Sequence, residues 1–185
     1  MTNQSRGKTS TMTKSREKVR GAATAMRHET GVTHFTTPTD RELVAIRVVD
    51  APRALVWKAW TDPRHVPHWM LGPDGWTMPV CEIDLRPGGK WHFVWRQADG
   101  QSMEMQGVYR EVAEPERLVS TENWGGEWPE TVNTMVLSEE NGQTTIEVTV
   151  LYESSKAREA AIATGMKDGW SKSYDLLDEY LRSMR

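Results

Sequence analysis

The chain has 185 residues and a net charge of −3, so it is long enough for one domain with a core, and nucleic acid is not an expected partner. Its single cysteine, Cys81, excludes an internal disulfide framework and a cysteine-rich metal site, and it fits a reducing cytoplasm. The sequence contains no run of about 18 apolar residues, so insertion into a membrane is not expected.

The first 39 residues differ in composition from the rest of the chain. They are basic, rich in serine and threonine and poor in large apolar residues. Such a segment buries too little surface to offset the entropy lost on ordering. We therefore expect residues 1–39 to form a flexible tail and residues 40–185 to form the domain.

A strand and two short helices are predicted in the first part of the domain. Alternating residues over 43–48 predict the strand. Asp50 is expected to cap the first helix, which includes Trp60. The turn at Thr61-Asp62-Pro63 then starts a second short helix that ends near Trp69.

The next two strands are joined by Pro87-Gly88-Gly89, and the apolar pattern predicts their register. If Arg86 pairs with Lys90, apolar residues oppose one another on one face of the hairpin. The pairs are Leu85 with Trp91, Ile83 with Phe93, and Cys81 with Trp95. His92 then lies on the opposite face, which we expect to contact solvent.

The turn into the third strand of this meander has two interpretations. A three-residue loop with Gly100 in the left-handed region keeps apolar residues on the shared face. The pairs are then Met103 with Trp95 and Met105 with Phe93. A two-residue Asp-Gly turn would instead bring Glu104 and Gln106 into the core. The first interpretation is preferred because it matches apolar residues with one another.

Three further strands and a C-terminal helix complete the predicted elements. Residues 156–184 carry a broad apolar stripe, which is typical of a helix that covers one face of a sheet. A kink or restart is expected between Thr164 and Gly169. The predicted fold is α+β, with a curved seven-stranded antiparallel sheet wrapped around the long C-terminal helix. The two short helices lie between strands one and two.

Tryptophan and methionine dominate the predicted inner face of the sheet and the start of the C-terminal helix. The chain has nine Trp and only two Phe, and Trp combines a large apolar ring with a hydrogen-bond donor. We predict that this face binds a ligand, with a plain core as the alternative. The candidate ligand-binding residues are Trp69, Trp76, Trp91, Phe93, Trp95, Met103, Met105, Trp124, Met135, Met166, Gly169, Trp170 and Ser173.

Gly169 and Ser173 form a small face on the predicted helix because they lie four residues apart. A glycine within a helix costs about 1 kcal/mol relative to alanine, so its presence calls for an explanation. The small face either packs tightly against a bulky neighbour or leaves a notch over a cavity. In the second case Met166, Gly169, Trp170 and Ser173 line one cavity.

Few residues are candidates for chemistry, and no catalytic residue is assigned. Cys81 is predicted to be a small core residue. His65 and His68 have a spacing that could begin a zinc site, but no third ligand is fixed, so neither a metal nor a cofactor is predicted. Glu104 and Glu111 are the carboxylates closest to the predicted site, and either could act as a general acid or base if buried.

Several short motifs, distributed in order over residues 34–183, resemble those of one known superfamily. They are Asp50-Ala51-Pro52-Arg53, Trp60-Thr61-Asp62-Pro63, Asp84-Leu85-Arg86-Pro87-Gly88-Gly89 and Gly165-Met166-Lys167-Asp168-Gly169-Trp170. The chain is similar to the SRPBCC (START-like, helix-grip) superfamily and, within it, to the homologues of the heat-shock ATPase activator. These motifs form turns, caps and helix contacts, so they indicate fold more than chemistry.

The resemblance implies a hydrophobic cavity between the sheet and the long helix, with a lipid, polyketide or aromatic molecule as its ligand. It also leaves two alternatives open: an enzyme of the cyclase or hydrolase type, or a protein-interaction module related to co-chaperones. The eukaryotic activators have a further N-terminal domain, which the polar residues 1–39 do not resemble. A chaperone partner is therefore not expected, whereas a homodimer and a cytoplasmic location are compatible with the sequence.

Overall fold

The computed structural model describes residues 28–185, which form eight strands, three α-helices and a short 3-10 helix. The strands are β1 (Thr33–Thr36), β2 (Glu42–Val49), β3 (Trp76–Ile83), β4 (Lys90–Gln97), β5 (Ser102–Ala113), β6 (Arg117–Glu122), β7 (Thr131–Glu140) and β8 (Gln143–Leu151). The helices are α1 (Arg53–Thr61), α2 (Ser155–Ala163) and α3 (Met166–Ser183), with the 3-10 helix at Val66–His68.

The strands form one antiparallel sheet in the order β1-β2-β8-β7-β6-β5-β4-β3. This arrangement confirms the predicted α+β helix-grip fold, with one strand more than the seven expected. The additional strand is β1, which pairs with β2 although it lies in the segment that was predicted to be flexible. The rest of that prediction, over residues 1–27, lies outside the described residues.

The helices cover one face of the sheet, which we call the concave face. Its buried members include Trp91, Phe93, Met105, Met135 and Val148, and they belong to one apolar cluster with the helical side chains. From α3 this cluster receives Tyr174, Leu177 and Leu181, all of which are almost fully buried. The predicted apolar stripe of the C-terminal helix therefore faces the core, as its periodicity indicates.

A buried ion pair joins α3 to β2. The Arg47 guanidinium donates hydrogen bonds to Asp178 and to Asp175 Oδ1, the latter at 2.9 Å, and Arg47 itself is buried. Asp178 is partly buried, whereas Asp175 remains exposed to solvent. The pair fixes the helix on the sheet because both carboxylates come from successive turns of α3.

The β3–β4 hairpin has a different register from the predicted one. Cys81 pairs with Phe93 and Ile83 pairs with Trp91, so the offset is two residues. The connection is longer than three residues, because the Asp84 amide already donates to the Lys90 carbonyl at 2.9 Å. A shift of two residues leaves every side chain on its predicted face, since side chains alternate with a period of two.

The β4–β5 pairing confirms the preferred interpretation of the next turn. Phe93 pairs with Met105 and Trp95 pairs with Met103. Gly100 has a φ of +93°, which is the left-handed conformation that the three-residue loop requires.

The short helices differ from their predictions at their ends. Asp50 does not cap α1: the Arg53 amide at the helix start donates to Glu139 Oε2 of β7 at 2.8 Å, while Asp50 pairs with Arg185. The second predicted helix is reduced to the 3-10 turn Val66–His68. The expected restart of the C-terminal helix is present, because Gly165 separates α2 from α3 with a φ of +80°.

Within residues 28–185, none of the helices combines the length and the apolar composition needed to cross a bilayer.

Candidate functional site

A continuous row of aromatic rings runs along β4 and continues into the loop after β6. The ring centroids of Trp91 and Phe93 are 5.0 Å apart, and those of Phe93 and Trp95 are 6.0 Å apart. The Trp124 ring then stacks on Trp95 at 5.7 Å with an interplanar angle of 15°. We call these four residues the aromatic wall. Its first three members are buried, whereas Trp124 is 42% exposed, so the wall reaches from the core to solvent.

Gly107 of β5 allows the aromatic wall to lie flat against the sheet. A Cβ atom at this position would lie 2.7 Å from the Trp91 ring and 2.0 Å from the Thr121 carbonyl oxygen. Both distances are far below van der Waals contact, so only glycine fits beneath Trp91. The Trp91 indole nitrogen is buried and has no hydrogen-bond acceptor among residues 28–185.

A carboxylate lies on the concave face beside the end of the aromatic wall. Leu118 pairs with Met135 in the core, and Glu122 lies four residues further along β6, so its side chain points to the same face. Glu122 Oε1 accepts a hydrogen bond from the Trp124 indole at 2.6 Å. Its other oxygen accepts one from the Asn133 side-chain amide.

Burial raises the pKa of Glu122 above its ordinary value, and the hydrogen bonds from Trp124 and Asn133 oppose this shift. Burial and, to a smaller extent, the Glu122 charge raise the pKa of Tyr152 to about 12, and the Arg158 charge opposes this shift. The Tyr152 hydroxyl is also 3.6 Å from the Met166 sulfur at the start of α3. One end of the concave face therefore combines a carboxylate, a phenol and apolar surface.

The small face of α3 is occupied by a loop. Ser173 Oγ accepts a hydrogen bond from the Gly72 amide at 2.8 Å. The nearest atom to a Cβ placed at Gly169 is Cδ of Pro73, at 3.5 Å. This corrects the expectation that Gly169 and Ser173 line one cavity with Met166 and Trp170, because a loop that is distant in sequence fills the notch.

Comparisons with known proteins show the family to which the chain belongs. The sequence profile of the family described as Activator of Hsp90 ATPase homolog 1-like protein matches residues 50–182, well over half of the chain. The chain belongs to this family. The comparison with curated proteins gave no match.

Solved structures support the family fold. A protein from Rhodobacter sphaeroides is similar at 26% identity with a TM-score of 0.77, covering 83% of this chain and all of that one. Protein Ms6760 from Mycobacterium smegmatis has 24% identity and a TM-score of 0.72, with 80% and 95% covered. An AHSA1-like protein from Aeromonas hydrophila has 22% identity and a TM-score of 0.60, with 76% and 93% covered.

Some of the remaining predicted site residues of this family member lie on the concave face, and the others lie elsewhere in the fold. Met105 and Met135 are buried on the concave face, while Met103, opposite Trp95 on β5, is exposed. Trp170 contacts the rings of Phe35 and Tyr174, at 5.8 and 6.1 Å. The remaining two residues are Trp69, whose indole donates to the Ala59 carbonyl in the core, and the half-buried Trp76.

Neither carboxylate proposed from the sequence lies in the site. Glu104 is exposed on the opposite face of the sheet, where it contacts His92 Nε2 at 2.8 Å. Glu111 is also exposed and pairs with Arg117. Glu122 was missed, although the alternation of Leu118 and Ser120 before it indicates the inner face.

The other candidates for chemistry, Cys81, His65 and His68, lie in surroundings that explain them as parts of the fold. Burial raises the pKa of Cys81 to about 12, with a smaller contribution from Asp62, so its thiol remains protonated at neutral pH. His65 Nδ1 is 2.7 Å from the Tyr180 hydroxyl, and the His68 ring stacks on the same tyrosine. Among residues 28–185 no three potential ligands are grouped so that they could hold a metal ion.

Two open clefts lie on the outside of the domain. One, of about 630 Å³, is bounded by α1, by Ile83 at the end of β3 and by Leu85 after it. The other, of about 790 Å³, lies between the start of α1 and the Asn141-Gly142 turn. Neither is bounded by a residue of the aromatic wall, and the lining of both includes exposed charged side chains.

Proposed function

We propose that this protein binds a small apolar molecule against the aromatic wall, at the end where Trp124 meets solvent. We call this place the groove; Met166 and Tyr152 bound it on the side of the helices. The observation that carries the proposal is the Trp124 ring, which remains 42% exposed although it stacks on the buried Trp95. A flat apolar ligand could extend this stack and remove the exposed ring surface from water.

Two further observations support binding of a ligand along the aromatic wall. Helix α2 has no fully buried residue, and only Ala157, Ala161 and Ile162 pack against the core from it. The helical cover is therefore thin where the groove lies. The Trp91 indole also offers a hydrogen-bond donor without a protein acceptor among the described residues.

The test uses the two exposed tryptophans of the loop after β6. N-phenyl-1-naphthylamine, a neutral apolar probe, is titrated into the wild-type protein and into Trp124→Ala and Trp128→Ala. Trp128 is the matched control because it is 45% exposed but stacks on no aromatic ring among the described residues. Loss of an aromatic stack is worth about 1 kcal/mol, so Trp124→Ala should weaken binding about fivefold or more.

In that experiment Trp128→Ala should retain the wild-type affinity within about twofold. Equal weakening by both substitutions, or the absence of saturable binding to the wild-type protein, would contradict the proposal. The small apolar molecule is the proposed partner, and the single cysteine fits the cytoplasmic location expected from the sequence.

A second candidate function is catalysis in the same groove, and Glu122 is the observation that favours it. A carboxylate with a raised pKa can take a proton from water as the water attacks an ester carbonyl. Turnover of short-chain p-nitrophenyl esters by the wild-type protein, lost in Glu122→Gln and kept in Glu104→Gln, would support an enzyme. Equal rates in all three proteins would exclude this role for Glu122 toward these esters.

A further inference from the structure

The Glu122 carboxylate is held in a fixed orientation by neutral donors. The Trp124 indole that donates to it is itself fixed by stacking on Trp95. On the other side, the Thr131 hydroxyl donates to Asn133 Oδ1, which turns the amide NH₂ group toward the carboxylate. Each carboxylate oxygen accepts one hydrogen bond from this set and can accept another.

Glu122 has no cationic partner among residues 28–185. The ion pairs among these residues join carboxylates to Arg, Lys or His. None of these pairs includes Glu122. Neutral hydrogen bonds offset only part of the cost of removing a negative charge from water. A carboxylate kept in this position therefore favours a positive charge brought from outside residues 28–185.

The neighbouring rings favour the same kind of partner. A cation is attracted to the face of an aromatic ring, and tryptophan is the strongest of the three aromatic residues in this respect. Trp124 places its ring beside Glu122 and keeps much of its surface open.

We propose that the groove selects an apolar molecule that carries a protonated amine, with the ammonium group bound to Glu122 and the apolar part placed along Trp124 and Trp95. This inference rests on the proposed function and adds the chemical class of the ligand. A carboxylate-bearing ligand is disfavoured because two negative charges would meet in a half-buried place. A neutral alcohol forms a hydrogen bond with Glu122 but lacks the charge.

The experiment compares three ligands with the same ten-carbon chain and different head groups. Decylamine, 1-decanol and decanoate are titrated separately into the full-length protein at pH 8, below their micellar or solubility limits, by calorimetry. An alkyl ammonium group remains protonated at this pH. Wild-type protein, Glu122→Gln and the control Glu104→Gln are measured, and Glu104 serves as the control because it is exposed on the opposite face of the sheet.

The wild-type protein should bind decylamine about tenfold more tightly than 1-decanol, and decanoate should bind most weakly. Glu122→Gln should remove the preference for the amine but retain the affinity for 1-decanol within about threefold. Glu104→Gln should retain the wild-type order, which separates binding at Glu122 from general attraction to an acidic protein.

The two proposals fail in different ways. Equal binding of decylamine and 1-decanol, or an amine preference that persists in Glu122→Gln, would overturn the amine inference and leave apolar binding intact. If none of the three ligands binds to the wild-type protein, the proposed function itself is wrong. Comparable unfolding curves for the three proteins show that lost affinity does not come from a lost fold.

Discussion

The concave face has a closed half and an open half, and the two halves differ in how their buried carboxylates are paired. In the closed half, α3 packs on β1, on α1 and on the 3-10 helix, and the partly buried Asp178 is paired with Arg47. In the open half, the helical cover is thin, and among residues 28–185 Glu122 has side-chain hydrogen bonds from Trp124 and Asn133 only. Residues 28–185 supply the counter-charge where the helix is anchored, and they supply none for Glu122, where a ligand could enter.

The largest expected effect comes from removing the positive charge that pairs with Asp178 in the closed half. Arg47→Met removes the partner of Asp178 and leaves the carboxylate partly buried and unpaired. Breaking a buried pair in this way costs about 3–5 kcal/mol, which would be measured as a lower free energy of unfolding in urea. Arg117→Met is the control, because Arg117 pairs with Glu111 at an exposed position and should contribute less than about 1 kcal/mol. Equal losses of unfolding free energy in the two variants would show that the ion pair in the closed half stabilises the fold no more than an exposed pair does.

The next effect concerns the backbone beneath the aromatic wall. Gly107→Ala should lower the free energy of unfolding by about 2 kcal/mol or more, because the added Cβ would lie 2.7 Å from the Trp91 ring and 2.0 Å from the Thr121 carbonyl. Urea unfolding would measure the loss. The substitution should also shift the fluorescence of the protein as Trp91 moves. A variant with wild-type stability would show that the Trp91 ring and the neighbouring backbone can move at little cost to accept the added Cβ.

A smaller effect of opposite sign is expected at Gly169 of α3. Gly169→Ala should raise the free energy of unfolding by about 0.5–1 kcal/mol, since alanine favours the helix and its Cβ meets Pro73 at an ordinary 3.5 Å. Thermal unfolding would show a higher midpoint. A loss of stability would mean that the loop against α3 cannot accommodate one methyl group.

The smallest effect is a dependence of stability on pH. The folded-state pKa of Glu122 lies above its ordinary value of 4.5, so the folded state binds more protons than the unfolded state just above that pH. The free energy of unfolding therefore falls as the pH rises through this window and becomes level above the raised pKa. Glu122→Gln should reduce that fall in urea unfolding between pH 4.5 and 8, whereas Glu104→Gln should leave it unchanged.

The inner face of the sheet was predictable because alternation is a local property. The set Trp91, Phe93 and Trp95 follows from a period of two, and the register error in β3–β4 left Cys81 and Ile83 on the predicted face. Met103 and Met105 were placed by matching them to that set. The extra strand β1 was not predicted, because its pairing with β2 depends on tertiary contacts rather than on apolar content.

The polar part of the site was not predictable from such patterns. Glu122 lies at the end of a strand, and a bulge in β5 between Tyr109 and Glu111 shifts the register of the neighbouring strand. Its donors come from a loop and from β7, so the group forms only in three dimensions. The notch of Gly169 and Ser173 was recognised on the helix, but the loop that fills it is 101 residues away from Ser173.

The segment around Gly72 joins two parts of the fold that are otherwise connected through the core. The Met70 carbonyl accepts a hydrogen bond from the Trp95 indole of the sheet at 2.6 Å, and two residues later the Gly72 amide donates to Ser173 of α3. Separation of helix and sheet at this point therefore requires this amide to lose its acceptor. Its rate of hydrogen exchange would report, from a single backbone position, how often the domain opens along the line between its two halves.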